Sequence, residues 1–285
     1  KLPLLRETSL KGGFYTEEII QRKKPFGSLA SRTIGDLWRD SNGAKCGLEL
    51  SFDSILRGKP GIGHSIKVRN RRIRFIDREP QNGHDLVTTI DVNIQDVAEK
   101  AMRKMLTSLD GTEIGIAMVM EVATGDIKAI VNLSRSNDGK FYEMKNNAVS
   151  DLMEPGSTFK TASIMVGLED GKIKKNETVD CTGGTYPMHG RTMRDHNWRK
   201  GGYGTLTVSE ILEQSSNIGV SRLIDRAYHN SPQKYVDGLK ELGVGVPLDL
   251  PFVGKGEPII PQPNSKKRYW SKTDLAWMSI GYVTQ

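Results

Sequence analysis

The chain has 285 residues, 36% hydrophobic and 26% charged, which suits one large or two smaller globular domains and excludes a fibrous, disordered or disulfide-stapled miniature. Its 41 basic and 34 acidic side chains leave a formal charge of +7, which favours anionic surfaces or polymers without choosing among them. The longest apolar runs, such as residues 114–122, fall short of the roughly 20 residues of a membrane-spanning helix. No signal peptide opens the sequence, so as written it reads as soluble. Cys46 and Cys181 lie in unrelated contexts with no C-x-x-C and no clustered histidines, so neither a disulfide framework nor a zinc site is expected, nor any other cofactor.

Residues 1–84 are irregular and polar, punctuated by Gly12-Gly13, Pro25-Phe26-Gly27, Gly58-Lys59-Pro60-Gly61 and Glu79-Pro80. This texture predicts short strands and turns. Residues 66–76 alternate apolar and basic about Asn70-Arg71 and predict a two-stranded hairpin with one solvated face. Its lysines and arginines read as a solvated strand face rather than a nucleic-acid patch, because no aromatic residues interleave to stack bases. From Asp85 the pattern becomes regular. Residues 86–90 are strand-like, and Asp91 or Asn93 then caps a predicted helix over 92–107, with Ile94, Val97, Ala98, Ala101 and Met105 at helical spacing. Residues 114–122 and 126–132 predict two strands joined at Ala123-Thr124-Gly125 in an antiparallel sheet. Helices follow over 157–168, 209–214 and 218–228. Strands with segregated helices predict an α+β layered domain beginning near residue 84.

The chemistry concentrates in two short stretches. In Glu154-Pro155-Gly156-Ser157-Thr158-Phe159-Lys160, the Pro-Gly turn starts a helix on which Ser157 and Lys160 share a face. A serine needs an adjacent base to act as a nucleophile, and a lysine supplies one where its pKa is held down. The helix N-terminus adds free N–H groups where an oxyanion would develop. The plainer alternative for so short a motif is a helix-capping serine beside a surface lysine. Downstream, Ser215-Ser216-Asn217 forms an S-x-N between two helical segments, and the pairing of S-x-x-K with S-x-N marks penicillin-recognising serine acyltransferases.

The surroundings carry the likeness further. GHDLVTTIDVNIQ (83–95), MEVATGDIKAIVN (120–132), MEPGSTFK (153–160) and GGYGTLTVSEILEQSSNIGVSRL (201–223) are each similar to the corresponding stretches of class B penicillin-binding proteins. PFGSLASRTIG (25–35) and GLELSFDSILRGKPG (47–61) resemble that class's N-terminal pedestal module. Arg268-Tyr269-Trp270-Ser271 and Ser279-Ile280-Gly281-Tyr282 look most like the division-specific septal branch. The resemblance implies a penicillin-binding/serine β-lactamase-like transpeptidase domain over 85–285, preceded by a smaller, mostly β pedestal over 1–84. It implies a D,D-transpeptidase cross-linking peptidoglycan stem peptides at the septum, held to the cytoplasmic membrane by a single-pass anchor outside this sequence and facing the periplasm or cell exterior. Ser157 would attack the carbonyl between two terminal D-alanines, Lys160 accept its proton, Ser215 relay protons to the leaving amine, and Asn217 hold the substrate amide. β-Lactams would acylate the same serine. Divisome proteins are the partners implied, and nucleic acid is not.

One departure stands out. The family's third motif, K-T/S-G on a site-lining strand, does not occur in the sequence; Lys272-Thr273-Asp274 replaces the required glycine and reads as a decoy. The sequence therefore reads as stopping before that strand, and the chain as close to inert, since one lost oxyanion donor alone costs about 10²–10³ in rate. Gly243-x-Gly245, Gly254-x-Gly256 and Gly58–Gly63 lack phosphate-loop spacing. His189 and His196, with Arg191, Arg194 and Asp195, read as a polar surface loop rather than a metal site. Two rival readings remain. A serine β-lactamase or penicillin-sensing receptor shares the acylation chemistry, but lacks a pedestal. A basic scaffold protein would use Ser157 only as a cap.

Overall fold

The structure is a computed structural model that describes residues 23–38, 43–68, 71–266 and 269–284. They divide into two units, Lys1–Ala148 with Pro251–Val253, and Val149–Leu250 with Gly254–Gln285.

The first unit opens with short pieces: helix α1 (Ser31–Ile34), a ribbon of β1 (Asp36–Leu37) and β2 (Ala44–Cys46), and helices α2 (Gly47–Ser51) and α3 (Asp53–Leu56). Three short helices thus stand where strands and turns alone were expected. The reason is local, since Leu48, Phe52 and Leu56 recur every fourth residue, and each is half-buried. The predicted hairpin is present as β3 (Ile62–Val68) and β4 (Arg71–Arg78), with Ile66 opposite Ile73 and Val68 opposite Arg71. Arg71 therefore belongs to the strand rather than the turn, and Asn70 lies outside the described residues, as does Arg268 of the septal-type stretch. Neither face is covered: Ile62, Ile66, Val68, Ile73, Phe75 and Ile76 are all exposed, so the single solvated face expected from the alternation is not what forms.

Residues 86–90 form no strand; the segment is instead tied to its neighbour by Thr89 Oγ1 donating to the Ile127 carbonyl at 2.8 Å and the Asp91 N–H to that of Lys128 at 2.9 Å. Asp91 then caps α4 (Val92–Ser108), its Oδ1 accepting the N–H groups of Asn93 and Ile94 at 2.8 and 3.1 Å. The helix matches the predicted range, but its buried stripe is rotated. Gln95, Glu99 and Leu106 are buried, while Ile94, Val97 and Met105 are exposed. Polar groups can occupy that stripe because most of their atoms are partnered, Glu99 Oε2 being the exception. The Gln95 amide donates to the Ile130 carbonyl at 3.0 Å and accepts its N–H at 2.8 Å, and Glu99 pairs with Arg103 at 2.7 Å. The sheet beneath is antiparallel, ordered β5 (Ile114–Met120), β6 (Ile127–Arg135), β7 (Phe141–Tyr142). Leu106, Val131, Leu133 and Phe141 form its core. Buried Glu143 fastens α1 to it, accepting from Ser31 Oγ at 3.1 Å and the Arg32 N–H at 2.9 Å; burial raises its pKa.

In the second unit helices outweigh strands, and it holds the larger core. Helix α5 (Phe159–Glu169) follows a 3₁₀ turn at Gly156–Thr158; β8 (Thr178–Thr182) pairs with β11 (Gly202–Thr207), and between them β9 (Thr185–Met188) and β10 (Arg191–Arg194) form a hairpin. Then come α6 (Val208–Glu213), α7 (Asn217–Tyr228), α8 (Pro232–Glu241) and α9 (Asp274–Met278). The expected helices over 209–214 and 218–228 are therefore α6, shifted by one residue, and α7, which starts one residue earlier and ends where expected. Ile164, Ile211, Ile218, Leu223, Ile224, Leu239 and Met278 meet in this core. A polar seam crosses it: Ser163 Oγ lies 2.7 Å from Tyr235 Oη and 2.7 Å from the Ser279 carbonyl.

Candidate active site

Two helix starts build the site. At the first, Ser157 sits in the 3₁₀ turn and is exposed, and its hydroxyl has no hydrogen-bond partner among the described residues. It caps nothing; the hydroxyl that closes the turn is Thr158 Oγ1, donating to the Pro155 carbonyl at 2.8 Å. Lys160, one turn on, is buried to 2% exposure, so it is no surface lysine. The backbone here is clamped from the far end of the chain. The Gly156 N–H donates to the Gly281 carbonyl at 3.0 Å, and the Val283 N–H donates to Glu154 Oε1 at 2.7 Å. Gly281 has φ of 84°, and a Cβ there would collide with the Gly156 backbone. The Ser279-Ile280-Gly281-Tyr282 stretch thus positions the turn that presents Ser157.

The second start is Ser215-Ser216-Asn217. Lys160 Nζ donates to the Ser215 carbonyl at 2.6 Å and to Ser215 Oγ at 2.9 Å. Ser215 reaches this position with φ of 52°, a left-handed conformation uncommon for a residue with a Cβ. Burial of Lys160 lowers its pKa to about 8, partly opposed by the charge of Asp195. Asp195 fixes the turn. This carboxylate, 1% exposed, accepts from Ser216 Oγ at 2.8 Å and from the Ile218 N–H at 3.0 Å, at the N-terminus of α7. Ser216 Oγ also accepts the Gly219 N–H at 2.9 Å as the cap of that helix. Asn217 Nδ2 donates to the Arg194 carbonyl at 2.8 Å, leaving Oδ1 without a partner among the described residues.

Ser157, Lys160, Ser215 and Asn217 therefore all lie in one unit, with Lys160 bridging the two motifs. The reading of residues 189–196 as a surface loop is corrected at Asp195, which is buried because it compensates the donors of the S-x-N turn. His196 is exposed and hydrogen-bonds Tyr203 Oη at 3.0 Å, whereas His189 turns toward α7. Lys272 is exposed on the turn before α9 rather than on a strand. Sequence reading passed over Asp195, Ser163, Tyr235 and Glu154 as site-shaping groups. Only Glu154, inside the Glu154–Lys160 stretch, had a local signal; the others act across the fold.

Residues 115–285 match the penicillin binding protein transpeptidase domain family. The chain belongs to that family. It is 29% identical over 279 residues to the peptidoglycan D,D-transpeptidase FtsI of Escherichia coli K12, an alignment covering 95% of this chain and 45% of that protein. Against the probable peptidoglycan D,D-transpeptidase PenA of Neisseria gonorrhoeae it is 30% identical over 284 residues, covering 95% and 46%. The crystal structure of penicillin binding protein 3 from Mycobacterium tuberculosis superimposes with a TM-score of 0.73 at 26% identity, covering 93% of this chain and 55% of that one. A second structure of that protein, complexed with ampicillin, superimposes equally, at a TM-score of 0.73. The chain spans about half the length of the curated relatives it matches.

Proposed function

We propose that the chain carries the acylation half-site of a penicillin-sensitive D,D-transpeptidase that cross-links peptidoglycan stem peptides at the division septum. The observation that carries this reading is the buried Lys160, its pKa lowered to about 8, hydrogen-bonded to Ser215 and one helical turn from the exposed Ser157. Ser157 Oγ adds to the carbonyl of the penultimate D-alanine while its proton passes to neutral Lys160 Nζ. Collapse of the adduct breaks the peptide bond, and the terminal D-alanine leaves as an amine, its proton delivered from Lys160 through Ser215 Oγ. The Ser157 acyl ester is then attacked by an amine of a second stem peptide. Asn217 Oδ1 accepts the substrate's amide N–H, and the Ser157 N–H donates to the oxyanion.

Residues 1–84 act in this reading as a pedestal and 85–285 as the transpeptidase domain. The likeness to FtsI and PenA supports attachment to the cytoplasmic membrane with the site on its outer side, among division proteins; among the described residues no helix is long and apolar enough to cross a membrane. The Mycobacterium tuberculosis protein solved in complex with ampicillin supports β-lactams as ligands of this site.

The test is intact-mass spectrometry after prolonged incubation with a penicillin. It uses the 285-residue chain, its Ser157→Ala variant, and a chimera that continues the chain with the C-terminal K-T/S-G segment of a relative. A persistent one-equivalent adduct on the chimera that Ser157→Ala abolishes supports the reading, as does faster labelling of the chimera than of the chain alone. A folded chimera that acquires no adduct overturns it.

A further inference from the structure

Away from Ser157, three side chains converge at the other end of α7. Asp225 lies in the last turn of that helix and His229 caps its C-terminal end four residues on, and His189 reaches them from the turn between β9 and β10. His189 Nε2 lies 2.8 Å from Asp225 Oδ1, and His229 Nδ1 lies 3.6 Å from the same oxygen. One ligand atom from each residue falls within 4.8 Å of the other two. The two imidazoles are parallel, with centroids 5.4 Å apart and planes 9° from one another. Nothing in the acyl-transfer chemistry uses them.

We infer that His189, Asp225 and His229 form a binding site for a divalent transition metal of the zinc type, which staples the β9–β10 hairpin to the C-terminal end of α7. Two imidazoles and one carboxylate are a donor set suited to Zn²⁺, with water completing the shell. Ligand atoms around a four-coordinate zinc stand about 3.3 Å apart, given metal–ligand distances of about 2.0–2.1 Å. The two separations from Asp225 Oδ1 straddle that value, and with all three ligand atoms within 4.8 Å of one another, side-chain adjustments of His189 and His229 bring them around one ion. His189 holds its position through the backbone. It has φ of 51° and precedes Gly190, with φ of 82°, in a two-residue hairpin turn that joins Met188 to Arg191. Such turns ordinarily take asparagine, aspartate or glycine at the first of these places. His189 and Asp225 are both partly exposed and line an open cavity of about 500 Å³, which gives an ion access. Two arginines share that cavity and are already engaged. Arg226 pairs with Glu177 at 2.8 Å, and Arg222 donates to the Asp180 carbonyl while stacking over Tyr186.

The staple would act on the active-site frame at a distance. The hairpin leads through Arg194, whose carbonyl holds Asn217, directly into Asp195, and α7 begins at Asn217. Fastening the far ends of hairpin and helix therefore steadies both sides of the S-x-N turn.

The test is zinc binding by the 285-residue chain, prepared without a polyhistidine tag and stripped with a chelator. Binding is read by competition with a chromophoric chelator, and the Co²⁺ form by its visible absorption. One equivalent of Zn²⁺ is expected, with visible bands of a four-coordinate cobalt site and a thermal midpoint that rises with zinc concentration. His229→Ala, at a half-exposed position, and Asp225→Asn each weaken the affinity at least about tenfold. Control variants His196→Ala and Cys46→Ser leave it unchanged. Absence of stoichiometric binding by the parent chain overturns the inference. Affinity unchanged from the parent in His229→Ala and Asp225→Asn, with circular dichroism matching the parent, overturns it too, as does loss of binding in Cys46→Ser.

Discussion

The two helix starts that make the site are built in opposite ways. At Ser216 the serine side chain is buried and answered: Asp195 takes its hydroxyl and the Ile218 N–H, and Ser216 takes the Gly219 N–H. At Ser157 the reacting hydroxyl is exposed and without a partner among the described residues, while only the backbone beneath it is pinned, by Gly281 and Glu154. One turn is a frame and the other presents a reactive group. Lys160 joins them, spending its donors on the framed turn while standing one helical turn from the presented hydroxyl. Catalytic placement of this kind keeps the nucleophile accessible and fixes the groups that act on it.

The contrast can be broken in graded steps. Lys160→Met removes the base and leaves the Ser215 carbonyl unanswered; acylation of the Ser157 chain or chimera by penicillin is expected to fall by about 10²–10⁴ in stopped mass-spectrometric time courses. The pH profile of the same reaction sharpens the assignment. Only unprotonated Lys160 accepts the serine proton, so the rate rises about tenfold per pH unit below its pKa of about 8 and levels above it. The sign for stability follows from the same shift. With the folded pKa near 8 and the ordinary lysine value at 10.5, the unfolded chain binds more protons between them, so the Lys160 contribution to stability rises with pH across that window.

Smaller effects belong to the frame and its supports. Asp195→Ala orphans the Ser216 hydroxyl and the Ile218 N–H, and is expected to cost about 2–3 kcal/mol in urea unfolding and to slow acylation without touching Ser157. Tyr235→Phe deletes one hydrogen bond of the seam through Ser163 to the Ser279 carbonyl and should cost about 1 kcal/mol by the same measurement. Ile66→Thr, on the exposed β3–β4 hairpin, should shift stability by less than about 0.5 kcal/mol.

Much of this was legible before any coordinates. The α4 helix and its cap at Asp91 or Asn93, the hairpin over 114–132 and the helices after Ser157 follow from periodicity and turn residues, because those are local properties. The four motif residues, too, were readable as short strings with fixed spacing. What escaped was set by partners distant in sequence. The rotated stripe of α4 depends on Gln95 meeting Ile130 in a strand 35 residues on. Residues 86–90 look like a strand, but the segment is tied down by Thr89 Oγ1 donating to the Ile127 carbonyl and, just after it, by the Asp91 N–H donating to that of Lys128. Asp195 is indistinguishable from a loop aspartate until α7 is placed over it, and Ser215 gives no sign in sequence of its left-handed backbone. His189, Asp225 and His229 likewise come together only through the β9–β10 turn.

The most direct test of the central claim is an NMR titration of Lys160 in the 285-residue chain, reading its side-chain ¹³Cε and ¹⁵Nζ shifts with Lys160→Met to assign the signal. It needs no catalytic turnover. The account predicts a midpoint near pH 8, with the signal broadened or shifted when Ser215 is replaced by alanine. A Lys160 that titrates at the ordinary lysine value of 10.5 would contradict the assignment of this residue as the base that activates Ser157.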